Sequence, residues 1–234
     1  MKGKVKMILA AVFALTTTQL FAADMLDRVQ SDYSEAGGKA LIAEIDKNGS
    51  ADKDMYRGIV YHNLANGADQ TEKREEYVNK AIECLSKYRD GDAIGRAYLG
   101  SAITIMGGVS ASKKKLMDAV KKLDEGAKLI DSAVEKSPEN ISVRMVRMQN
   151  AVGVSKTSPM KRWTVARGDV DFLKKKEDKL NNVNKADLYF YSGEVFIGEK
   201  KTNEALKEYS AAVKFAPESA SGVLARKALA KYSE

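Results

Sequence analysis

The chain has 234 residues, 44% hydrophobic and 30% charged, with three prolines, one cysteine and a formal net charge of +7. That composition supports one or two domains with a buried core and excludes disordered, collagen-like and disulfide-scaffold classes. The positive balance is mild and by itself names no partner.

The first element is a leader. Lys2, Lys4 and Lys6 precede an apolar run over residues 7–15, and Ala22 and Ala23 stand before Asp24. A basic start, an apolar stretch too short to span a bilayer and small residues at the end read as a signal peptide over residues 1–23, cleaved after Ala22 or Ala23. No cysteine stands near that site to carry a lipid, and Cys84, being alone, makes no internal disulfide. The expected mature chain, 24–234, is a periplasmic, exported single domain that does not span the membrane. Its net charge falls to +4, because the leader takes three lysines and no acid with it.

No stretch alternates with period two, whereas helical spacing recurs. A leading helix is expected near residues 26–46. Breaks follow at 47–51, 66–70, 90–92, 107–112, 137–140, 155–159, 180–184 and 198–202, leaving helices joined by loops of ordinary length. Leu116, Val120, Leu123, Ala127, Ile130 and Val134 step by three and four before Pro138, and Ala205, Tyr209 and Ala212 do so before Pro217. A polar last helix over 219–232 would cap the array. The expected fold class is all-α, with one continuous core.

Regular helix pairs invite a search for a repeat. Over 186–218, Tyr189, Gly193 and Phe196 give a large, a small and an aromatic position on one helix, and Ala205, Tyr209, Ala212 and Pro217 complete the second. Leu99, Gly100 and Ile103 with Gly126, Ile130, Ala133 and Pro138 form a second copy, split by about fourteen extra residues that are expected to lengthen its turn around 107–115. Gly58, Tyr61, Ala81 and Leu85, and then Ala166, Val170 and Leu173, mark looser hairpins within 52–179. On these residues the chain resembles the tetratricopeptide repeat family, and within it exported bacterial members. Ser192, where that family prefers leucine, departs from the pattern. The resemblance implies an α/α superhelix of hairpins with a capping C-terminal helix, and a scaffold that mediates protein–protein interaction.

Candidate chemistry is sparse. His62 is the one histidine, so no usual zinc site or Ser-His-Asp triad can be built, and Cys84 reads as a structural thiol. Glu75 and Glu76 are adjacent and so do not face each other on a helix. Gly107 and Gly108 lack the phosphate-loop pattern. No catalytic group, cofactor or metal is expected, and the chain is read as a binding protein.

The basicity is local: residues 141–180 carry ten lysines and arginines against four acids. Arg144 and Arg147 lie one turn apart, Lys161, Arg162, Trp163 and Arg167 combine cations with an amphipathic anchor, and Tyr191 is expected to point into the groove of the array. These seven residues form the candidate partner surface, either for a protein or peptide partner in the cell envelope or for an anionic surface. The competing reading of the basic segment is a solvated face, with Trp163 buried between hairpins. The alternative function is capture of a small anionic ligand near Arg144, Arg147 and Arg162. Export leaves no occasion for nucleic acid.

Overall fold

A computed structural model describes residues 24–31, 34–48 and 50–232, and among these every regular element is helical. The leader expected over 1–23 lies outside the described residues. The helices are α1 (residues 24–31), α2 (Glu35–Asn48), α3 (Lys53–Gly67), α4 (Thr71–Leu85), α5 (Ala93–Ser112), α6 (Leu116–Lys136), α7 (Ile141–Thr157), α8 (Trp163–Lys174), α9 (Asn182–Gly198), α10 (Thr202–Phe215) and α11 (Ala220–Tyr232), with short 3-10 turns at Ser86–Tyr88 and Glu177–Lys179. No helix among the described residues is long and apolar enough to cross a membrane.

Local chemistry sets the ends. Asp92, Asn140 and Asn181 accept a hydrogen bond from the backbone N–H three residues on, starting α5, α7 and α9. Pro138, Pro159 and Pro217 each follow directly on the residue that closes α6, α7 or α10, where a proline cannot continue the helix. The single leading helix expected over 26–46 is instead two helices, with Ser34 Oγ accepting from Gly37 N to open α2.

The expected break at 107–112 is also corrected. α5 runs through both glycines to Ser112, and the chain reverses at residues 113–115, where Lys114 takes a left-handed φ of 59°. Lys115 N bonds Ser110 O and Lys114 N bonds Ala111 O, a pattern that closes a helix end. The extra residues therefore lengthen both helices, to 20 in α5 and 21 in α6, rather than the turn. Gly107 stays helical because α6 runs close by, and a Cβ there would lie 3.1 Å from Ala119 O.

Sequential helices pack as hairpins, most extensively α5 on α6, then α9 on α10 and α3 on α4. Each of these pairs has a glycine on its first helix facing the second. A Cβ on Gly100 would meet Gly126 O at 2.6 Å and Ile130 Cγ1 at 2.7 Å; one on Gly193 or Gly58 would strike Tyr209 or Leu85. The first helices also form a row, since α3 touches α5, α5 touches α7, α7 touches α9 and α9 touches α11.

Most of the buried apolar side chains among the described residues fall into three clusters rather than the expected single core: residues of α1–α7, of α7–α9 and of α9–α11. The division runs through α7, with Val143 and Val146 in the first cluster and Met145 and Met148 in the second. A helix in a row has a neighbour on each side and divides its apolar face between them. Polar bridges such as Asn150 Nδ2 to Thr104 Oγ1, 2.5 Å, occupy the seams. Tyr191 packs against both the second and third clusters.

Candidate binding groove

The six residues of the basic segment are held by the protein itself. Asp169, fully buried on α8, accepts from Arg144 Nη1 at 2.9 Å and from Arg147 Nε and Nη2 at 2.7 and 2.8 Å. Arg144 also donates to Pro138 O at 2.8 Å, and its guanidinium lies 4.5 Å from the centre of the Phe172 ring. Arg162 Nη2 reaches Asp131 at 2.6 Å, and Arg167 pairs with Glu199 at 2.9 Å while stacking on Phe196. Lys161 donates to the carbonyls of Ser155 and Ser158, and Trp163 packs over Gly198 at the end of α9. These contacts tie α6, α7, α8 and α9 together.

Tyr191 is elsewhere. It is half-buried and lines an open hollow of about 500 Å³ formed by residues of α3, α5, α7, α9 and α11, the helices of the row. A second hollow, about 700 Å³, lies chiefly between α5, α6 and α7, and the two share Asn66, Thr104, Ile105 and Asn150, so they form one groove. The outer end is apolar. Leu116 and Val120 remain 66% and 57% exposed there, opposite Val154 and Pro159. The helical stripe read on α6 thus divides: Ala127, Ile130 and Val134 enter the core, and Leu116, Val120 and Leu123 line the groove. Its one cation, Arg74, donates to the carbonyls of Ala65 and Ala68 at the end of α3.

The inner end mixes polar and apolar groups and carries Asp187, one turn before Tyr191 on α9 and 3% exposed. Asp187 accepts from Ser221 Oγ at 2.5 Å and from Gln149 Nε2 at 3.3 Å, and no cation pairs with it among the described residues. No lysine or arginine lines this hollow. Comparison with protein-family models, curated proteins and solved structures gave no match.

Burial raises the Asp187 carboxyl to about 6, against the stabilising hydrogen bonds from Ser221 and Gln149. Across the hollow, burial lowers His62 to about 4. His62 Nδ1 lies 3.0 Å from Asn63 Oδ1, an acceptor, so Nδ1 carries the proton. Nε2 then accepts from Ser101 Oγ at 2.8 Å. A neutral imidazole with both nitrogens engaged, edge-on to Tyr98, is part of the wall. Burial likewise raises the Tyr191 phenol, with the nearby Asp187 charge acting in the same direction. The inner end thus offers one carboxylate, neutral hydrogen-bonding groups and an aromatic ring.

Tyr191, expected from the sequence to face a groove, lines this hollow, and Asp187 and Gln149, which line it too, were not singled out from the sequence. The available signal was spacing: Asp187 and Tyr191 stand at i and i+4 and so share a helix face. Cys84 is half-buried, and burial pushes its thiol up, away from reactivity.

Proposed function

We propose that this chain is an exported binding module of the tetratricopeptide type whose groove along α3, α5, α7, α9 and α11 holds a polypeptide segment of an envelope partner. The observation that carries this reading is the continuous groove, open to solvent at Leu116, Val120 and Leu224 and carrying the buried carboxylate of Asp187 in its wall. Fixed side chains on packed helices present such a surface with little ordering cost, and a mixed apolar and polar trough suits a segment better than a compact ion. In this reading Arg144, Arg147, Lys161, Arg162 and Arg167 form the frame that sets the angle between hairpins. Capture of a small anion at Arg144, Arg147 and Arg162 is less favoured, since the anion would have to displace Asp169 and Asp131 from those guanidiniums.

The test is capture of an envelope polypeptide by the native chain, by a groove variant carrying Val120→Arg and Leu224→Arg, and by a variant with Lys128→Asp on the exposed face of α6. A specific polypeptide retained by the native and Lys128→Asp chains and lost by the groove variant is the expected result. Equal retention by all three would contradict the groove.

A further inference from the structure

Three carboxylates among the described residues are nearly or fully buried: Asp169, Asp187 and Glu194. Asp169 is held by two guanidiniums, and Glu194 by the Lys156 ammonium and the Tyr209 hydroxyl. Asp187 has only neutral donors, and it alone of the three lines the groove. Burying a carboxylate without a counter-ion is costly, and the usual remedy inside a protein is a cation within hydrogen-bonding reach. Asp187 instead lines a hollow that no lysine or arginine enters.

We propose that Asp187 is the anchor for a cationic group, a primary amine or guanidinium at the end of an aliphatic stem, carried by the segment that the groove binds. Each Asp187 oxygen accepts one hydrogen bond within the protein, which leaves each a lone pair for the incoming donor. Tyr191, on the same face of α9, brings an aromatic ring to the same hollow, a second attraction for a cation. Ile105, Val223 and Leu224 give the aliphatic stem an apolar wall, and the way out leads to Leu116 and Val120. The raised affinity of Asp187 for its proton agrees with a carboxylate lacking its partner. The recognised feature is therefore a lysine-like or arginine-like side chain next to apolar residues. This inference rests on the groove reading above and names the chemistry of its occupant.

The experiment uses dansylcadaverine, an apolar fluorophore joined through a pentyl chain to a primary amine, beside its N-acetylated derivative, which has the same shape and no charge. Both are titrated by fluorescence into the purified native protein, an Asp187→Asn variant and a Leu116→Ser/Val120→Ser variant. The amine is expected to bind about tenfold more tightly than the acetylated probe, as for a partly desolvated charge pair. Asp187→Asn should remove that preference and leave the acetylated probe's affinity unchanged, which also reports that the variant is folded. Leu116→Ser/Val120→Ser should weaken both probes. Equal affinity for the two probes, or a preference that survives Asp187→Asn, would overturn the cationic anchor, and the groove reading would stand if the α6 variant still weakened both. Absence of saturable binding by either probe would overturn both.

Discussion

Arg144, Arg147 and Asp169 show how a charge cluster becomes structure. The two arginines are one turn apart on α7, a fact legible in the sequence. Their shared acceptor lies 22 and 25 residues away, on a helix that only the tertiary fold brings alongside. A run of cations therefore reads as a binding patch until its partners are known, and here Asp169, Asp131 and Glu199 supply them. Asp169 is fully buried, and neutralising it would leave two partly buried guanidiniums facing an uncharged amide. Asp169→Asn should lower unfolding stability by about 3 kcal/mol, read as a lower denaturant midpoint with an unchanged slope. A loss under about 0.5 kcal/mol, the level of an exposed pair, would show that the cluster does not hold α7 to α8. Asp187 was overlooked for a different reason: its spacing from Tyr191 puts the two on one helix face, but only the hollow beside them gives that spacing meaning.

Helix positions were largely legible, because a period of 3.6 survives without knowledge of neighbours and because Pro138, Pro159 and Pro217 punctuate three ends. The α5–α6 turn was misread, as was the single leading helix. Two glycines and two serines within 107–112 favour a break locally, yet packing against α6 keeps them helical and moves the reversal to Lys114. Tertiary contact decided against propensity. The same contact gives a prediction at this scale. At the α5–α6 crossing, a Cβ on Gly126 would run into Gly100 O and Thr104, so Gly126→Ala must push two backbones apart. It should cost about 2 kcal/mol. Gly168, in the exposed middle of α8, has nothing within 4 Å, and Gly168→Ala should stabilise by about 0.5 to 1 kcal/mol. Thermal or denaturant unfolding of the two variants checks the pair. Equal effects would mean that the close approach is not what fixes this hairpin.

At the scale of the molecule, the row formed by α3, α5, α7, α9 and α11 organises everything else. Its seams hold polar bridges, so three apolar clusters share the stability. Its open side collects residues far apart in sequence, from His62 to Leu224, into one groove. The expectation of a capping last helix accounts for only part of α11, which packs on α9 and α10 and also contributes Ser221, Val223 and Leu224 to the groove wall. Periodicity can say that a helix is amphipathic but not which neighbour takes its apolar face. For that reason the exposure of Leu116 and Val120 was not legible in a stripe that continues without interruption into the core. The proposed function puts the partner on this open side of the row. The most direct test is photo-crosslinking from single sites: benzoylphenylalanine at Val120 or Leu224 in the groove, and at Lys128 or Glu218 on the outer surface. Incubation is with envelope extract, and the adducts are identified by mass spectrometry. One discrete polypeptide segment crosslinked from both groove sites and from neither outer site is the predicted result. Adducts of equal yield from all four positions, or from the outer pair alone, would contradict the account.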